Sequence, residues 1–332
     1  MGMNKPQIVV ITGATAGVGR ATALEFAHRG ADVALIGRDE HALEETAADV
    51  RALGVRALTL PLDVSATGAL DDAAAQVEAK LGPIDVWVNN AMVTAFAPFA
   101  EMSEADFKRI TDVTYLGFVW GTMAALKRMA PRDRGVIVQV GSALAYRSIP
   151  LQSAYCGAKH AIHGFTDSLR CELLHAKSRI HLTMVQMPAL NTPQFDWAKC
   201  ELPHAPRPVA PIYDPEVAAR AIYWSATHRR RELWVGAPSI KAIVANMLFP
   251  GLLDRYLGRT GYDAQQDPSI DSNGRPNNLW EPVSALHRVR GRFGQQSQHV
   301  SPMLWADTHR GLLVSGALAL AACLACAARR RS

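Results

Sequence analysis

Thr12-Gly13-Ala14-Thr15-Ala16-Gly17-Val18-Gly19 follows an unbroken apolar run, Ile8-Val9-Val10-Ile11, and opens a segment in which Ala21, Leu24, Phe26 and Ala27 recur at helical spacing. Gly13, Gly17 and Gly19, with Thr15 and Val18 between them, let the backbone turn sharply and approach a pyrophosphate. The helix beginning near Gly17 then offers free N–H groups and the positive end of its dipole. A glycine cluster alone would equally be a tight turn. Its place between a strand and a helix makes it a dinucleotide-binding unit.

Outward from this unit, the same alternation repeats. Strand candidates are Ile8–Thr12, Asp32–Ile36, Arg56–Pro61, Ile84–Asn89, Gly135–Val140, Ile180–Met187 and Glu232–Val235, the last after a helix over Pro215–Thr227. Continuous apolar strands separated by helices predict a parallel sheet covered on both faces, a doubly wound α/β (Rossmann) fold. The catalytic domain is expected over 1–236. An extension follows over 237–305, with an apolar helical face over Lys241–Leu257 broken at Pro250-Gly251. Its polar part, Tyr262 to Gln298, reads as an ordered wrap or a loose linker. The last segment, 306–332, contains Gly311–Ala328, free of charge, and then Arg329-Arg330-Arg331. As a helix that run spans ~27 Å. The readings for it are a spanning membrane anchor, a helix lying in the membrane interface with its arginines at the headgroups, or a helix packed on the body or on a partner subunit. A homo-oligomer is likewise left open.

The 332 residues carry a formal net charge of +5, and much of the excess sits in His228-Arg229-Arg230-Arg231 and the terminal arginines. No basic stripe is interleaved with aromatics, so no nucleic-acid partner is expected. Five cysteines, at 156, 171, 200, 323 and 326, do not form a disulfide framework or a zinc set, and no metal site is expected. Met1 to Pro6 leads straight into the first strand without a secretory pattern, which reads as a cytoplasmic catalytic domain.

The second strand ends Ile36-Gly37-Arg38-Asp39. A carboxylate at the strand end would accept hydrogen bonds from a ribose 2′-OH and repel a 2′-phosphate. Here the planar, always-charged fork of Arg38 stands near that place, so NADP(H) is expected over NAD(H). Asp39 is expected to cap the next helix.

Taken together, the glycine loop, Asp63-Val64, Asn89-Asn90-Ala91, Ser142 and Tyr155-x-x-x-Lys159 resemble the short-chain dehydrogenase/reductases, over about Ile8 to Val235. The resemblance implies that Asp63 contacts the adenine amino group with Val64 beside the ring, that Asn89 and Ala91 line the cofactor, and that Pro188 and Thr192 grip the nicotinamide carboxamide. The sequence departs from the family pattern at Ala189 and Met92, where glycines are usual.

Tyr155 and Lys159 are four apart on one expected helix and share a face. The ammonium, with the charge of an oxidised nicotinamide, is expected to lower the phenol so that it can shuttle a proton. Ser142, after the fifth strand, can hydrogen-bond a substrate oxygen as charge develops. The resemblance also implies an asparagine holding a relay water, but Thr114 stands at that position. These residues imply an oxidoreductase acting on a small-molecule carbonyl or alcohol. The apolar tail and the Met, Phe and Trp content after residue 187 point to a lipophilic substrate, with Phe195 and Trp197 either roofing its pocket or packing locally. A non-catalytic NADP(H)-binding sensor or scaffold is the alternative, against which the retained Ser142, Tyr155 and Lys159 weigh. A sugar-nucleotide epimerase would space its glycines differently.

Overall fold

The strands that begin at Ile8, Asp32 and Val86 are buried on both faces, because alternate residues point to opposite sides and helices cover each side. The computed structural model describes residues 6–316. In chain order the first elements are β1 (Ile8–Thr12), α1 (Gly17–His28), β2 (Asp32–Gly37), α2 (Glu40–Arg51), β3 (Ala57–Pro61), α3 (Ala69–Lys80), β4 (Val86–Asn89) and β5 (Ala95–Phe96). Next come α4 (Glu104–Thr111), a π-helical turn (Asp112–Leu116), α5 (Gly117–Met129), β6 (Val136–Ser142), α6 (Ser153–His175) and β7 (His181–Met187). The remainder is α7 (Gln194–Trp197), β8 (Lys199–Cys200), β9 (His204–Pro206), β10 (Ile212–Tyr213), α8 (Pro215–Thr227), β11 (Glu232–Trp234), α9 (Ala237–Leu248), α10 (Pro250–Thr260), β12 (Gln266–Asp271), β13 (Ser297–Gln298) and α11 (Pro302–Thr308).

Seven strands form one parallel sheet in the order β11-β7-β6-β4-β1-β2-β3, the doubly wound arrangement expected. On one face Val9, Ile11, Val33 and Leu35 pack with residues of α1, α2 and α8. On the other, Ile8, Val10, Ala34 and Ile36 pack with α3 and α5. The chain runs outward in both directions from β1 and β4, so the crevice for a ligand opens at their C-terminal ends.

The extension is the ordered wrap rather than the loose linker. β12 pairs with β9, and β13 with β10. Buried Asp214, at the start of α8, accepts hydrogen bonds from Ser297 and His299 and lies 3.4 Å from Arg290. Pro250-Gly251 separates α9 from α10, as the sequence predicts. No helix among the described residues is long and apolar enough to cross a membrane. Most of the expected anchor, from Ala317 onward, lies outside them.

Candidate active site

Two clefts meet at the C-terminal ends of the strands. The first lies along the glycine loop. Gly13 and Gly17 have φ of +68° and +54°, a region that side chains rarely adopt. A Cβ at Gly13 would lie 2.8 Å from the Ala91 Cα, and one at Gly19 1.9 Å from the Gly13 carbonyl oxygen. Gly19 therefore packs helix against loop, while Gly13, Thr15, Gly17 and Val18 line the cleft. Ala16, the N-cap of α1, makes no side-chain hydrogen bond to the first turn. This narrow backbone cradle at a helix N-terminus fits a dinucleotide pyrophosphate.

Arg38, Asp63, Val64 and Ala91 line the same cleft. Asp39 caps α2 by accepting from the Ala42 N–H at 2.9 Å, as expected. Burial pushes the Asp63 carboxyl up, but hydrogen bonds from Arg109 (2.5 Å) and Ser65 outweigh it and hold the group below its usual range. Arg109 is a positioning residue that the sequence did not reveal: only the fold brings α4 beside the loop after β3.

Asn89 does not do what the resemblance implied. Its side chain is fully buried, donating to Thr122 Oγ1 and Gln139 Oε1 at 3.0 Å and accepting from Trp87 Nε1 at 2.8 Å. At the end of a strand, one residue's step reverses the face, so the neighbouring Asn90 takes the cleft. Asn90 Nδ2 donates to the carbonyls of Thr12 (2.9 Å) and Gly13 (3.2 Å), and Thr12 Oγ1 accepts from the Asn90 and Ala91 amides. The Asn-Asn-Ala motif thus has one member for the core and one for the glycine loop.

The second cleft is a cavity of about 390 Å³ lined by Ser142, Tyr155 and Lys159, with Pro188 and Thr192 along its edge. Ser142 ends β6, and its Oγ accepts from the Leu144 N–H at 3.1 Å. Lys159 Nζ donates to the Val140 carbonyl at 2.8 Å, 4.6 Å from the Phe118 ring centre and 5.5 Å from that of Tyr155. Burial pulls the Lys159 ammonium down to about 7. Burial also raises the Tyr155 phenol, and the Ser142 hydroxyl only partly offsets it. The chain's own groups thus work against the lowered phenol expected from sequence, because a low-dielectric wall disfavours both charged forms.

Thr114 has a different role from the one its position implied. It is fully buried in the π-helical turn; its Oγ1 donates to the Val93 carbonyl at 2.7 Å and accepts from the Val93 N–H at 3.0 Å. Both local partners are backbone groups, so the hydroxyl's donor and one of its two lone pairs fix the loop after β4. Thr114→Val leaves those two buried groups unmatched and is expected to lower stability by about 1–3 kcal/mol. Chemical denaturation checks this, and an unchanged midpoint would refute the anchoring role.

Part of the cavity's lining comes from the segment after β9 and from the extension. Pro208, Pro211, Tyr256, Leu257 and Ala264 line it, as do Gln152 and Gln265, whose side chains are joined by a bond from Gln152 Nε2 to Gln265 Oε1 at 2.8 Å. Phe195 both lines this cavity and packs on Phe96 and Phe293, while Trp197 lines the dinucleotide cleft. Neither sequence alternative for this pair holds alone.

The profile described as short chain dehydrogenase matches residues 7–199. The uncharacterized oxidoreductase YxnA of Bacillus subtilis (strain 168) is 32% identical over 285 residues, covering 85% of this chain and 80% of that protein. Human estradiol 17-beta-dehydrogenase 11 is 36% identical over 167 residues, 50% of this chain and 56% of that one. Among solved structures, a short-chain dehydrogenase from Streptomyces avermitilis superposes with a TM-score of 0.65 at 26% identity, covering 78% of this chain and 98% of its own. A variant of the actinorhodin polyketide ketoreductase with NADPH gives 0.55 at 29% identity, covering 58% and 74%. With the glycine cradle, the doubly wound sheet and a match over more than half its length, this chain belongs to the short-chain dehydrogenase family, nicotinamide-dependent oxidoreductases that act on CH–OH and C=O groups.

Proposed function

We propose that the chain interconverts a carbonyl and an alcohol on a lipophilic small molecule with NADP(H), Tyr155 being the proton donor and acceptor. The observation that supports this best is the 390 Å³ cavity in which Ser142, Tyr155 and Lys159 share a wall with largely apolar surroundings, among them Ile149, Val209 and Leu257. When bound, the nicotinamide supplies or accepts the hydride. Ser142 holds the substrate oxygen through its hydroxyl, and Tyr155 Oη gives that oxygen a proton in reduction or removes one in oxidation. Lys159, anchored on the Val140 carbonyl, keeps its ammonium beside the phenol; a positive charge there favours the phenolate. Asn90 and Thr12 keep the glycine loop in shape beneath the cofactor.

The NADP(H) preference is supported by Arg38. Two of the five N–H donors of a guanidinium serve the carbonyls of Asn278 and Trp280, which leaves the others for a 2′-phosphate. Arg38→Ala should weaken NADPH by about 1.5–3 kcal/mol more than NADH, the range for charge-assisted hydrogen bonds. The comparison must be a difference, since the same substitution removes anchors of the extension and touches both cofactors. Equal losses, measured by titration, would show that Arg38 does not read the phosphate. A panel of ketones, aldehydes and alcohols of graded chain length, followed by NADPH absorbance, tests the reaction. Faster turnover of short hydrophilic substrates than of long apolar ones would refute the lipophilic assignment.

A further inference from the structure

Residues 278–293 cross the mouth of the dinucleotide cleft and are fastened at both ends. At one end Arg38 donates to the carbonyls of Asn278 (2.5 Å) and Trp280 (2.7 Å), and Arg109 Nε to that of Leu279 (3.0 Å). At the other, Arg288 and Arg292 pair with Asp196 at 3.0 and 2.5 Å, and the Phe293 N–H donates to Asn191 Oδ1 at 2.9 Å. Between the anchors the chain lies directly on the glycine loop. The Gly17 N–H donates to the Arg288 carbonyl at 3.0 Å, and Arg20 Nη1 to the His287 carbonyl at 2.8 Å. Gly17 begins α1, so its amide is one of those a helix N-terminus offers to phosphate. A backbone carbonyl here takes the donor that a pyrophosphate would use.

A second, independent observation points into the same cleft. The His287 side chain is only 7% exposed and lines the cleft, with Pro282 and Val283 completing the wall. Its Nε2 lies 3.4 Å from Asp39 Oδ2, and its Nδ1 meets no hydrogen-bond partner among the described residues. Buried polar atoms are nearly always paired, so an unpaired imidazole nitrogen in the wall of a ligand cleft marks a place for a ligand atom. Asp39 follows Arg38, at the end of the cleft where the second strand meets the adenosine ribose in this fold.

We propose that residues 278–293 form a strap of the cofactor site, which leaves the Gly17 amide to admit the dinucleotide and closes on its adenosine half with His287 as a binding residue. This rests on the nicotinamide-dinucleotide reading of the cleft. Binding then follows opening, so the rate of association reaches a ceiling set by the strap instead of rising without limit.

Stopped-flow quenching of tryptophan fluorescence by NADPH, on the full chain, reads this directly, because Trp197 lines the cleft and Trp280 lies in the strap. The wild type should show an observed rate that levels off with NADPH concentration. Asp196→Asn removes both ion pairs at one end and no cofactor contact, and should raise the plateau at least ~5-fold, as expected for loss of charge-assisted bonds. Arg288→Met tests the same end from the strap side, should the first variant not fold. His287→Ala should leave the plateau alone and speed NADPH release by about 10–150-fold, the equivalent of one lost hydrogen bond to a charged ligand. Association that rises linearly and equally in wild type and the Asp196 or Arg288 variant would overturn the gate, and unchanged release from His287→Ala would overturn the contact. If neither NADPH nor NADH binds any of the proteins, the dinucleotide reading itself falls, and the strap with it.

Discussion

Tyr155→Phe is expected to lower kcat at least ~10²-fold, the lower end of general acid–base contributions, while NADPH affinity changes by less than about threefold. The substitution removes one hydroxyl from the wall of the substrate cavity and keeps the ring beside Lys159. Burial raises the Tyr155 phenol, and the Ser142 hydroxyl draws it only partly back. Without Lys159's positive charge and that of an oxidised cofactor, the phenolate would be scarce at neutral pH. Burial, however, brings the ammonium itself down to about 7, so proton transfer should weaken where either group holds the wrong proton. Steady-state kinetics with NADPH titration by fluorescence separates the two effects. Undiminished turnover in the phenylalanine variant would remove Tyr155 from the reaction and favour a role for the chain as a cofactor-binding scaffold.

Arg109→Met is expected to destabilise the fold by about 2–3 kcal/mol, below the range for breaking a fully buried ion pair because the Asp63 side chain keeps 27% of its exposure. Arg109 links three things at once: Asp63, the Ser65 hydroxyl at 2.8 Å and the Leu279 carbonyl, with its guanidinium 5.5 Å from the Trp280 ring centre. Its loss leaves the Asp63 carboxylate half-buried and short of its main partner. The melting temperature should fall by roughly 3–4 °C. Asp63 is held below its ordinary value, so its contribution is present while the carboxylate is ionised in both states and is lost as pH falls through the lowered folded value. The wild-type and Arg109→Met stabilities should therefore converge below pH 3.8, the ordinary Asp value. A constant gap down to the acid limit would mean that packing on Trp280, not the ion pair, carries the effect.

The parts of the site that the sequence displayed are those fixed by local geometry. The glycine loop is legible because a strand, a turn of positive φ and a helix N-terminus need only neighbouring residues to define them. Tyr155 and Lys159 are legible because four positions on a helix always share a face. Asp39 was read correctly as a cap for the same reason. Asn89 and Thr114 were not, because each is decided by what lies across the sheet. The Asn89 amide meets α5 and β6, and Thr114 meets the backbone of Val93. Nothing in the spacing of the sequence records those partners.

The extension marks the same boundary more sharply. Residues 262–298 lack hydrophobic periodicity, since an irregular segment that seats itself by backbone carbonyls and arginine pairs imposes no repeat on its side chains. The sequence by itself therefore determined the sheet, its parallel winding and the glycine cradle, which follow from local pattern and strand order, while Ser142, Tyr155 and Lys159 were singled out by the family resemblance. Only the tertiary structure decided that Asn90 rather than Asn89 serves the loop, that Arg109 holds Asp63, and that a carbonyl more than 250 residues away in sequence lies on the Gly17 amide. Those contacts join segments distant along the chain, and their partners are set by the energy of satisfying buried polar groups, which becomes defined only once the fold has brought them together.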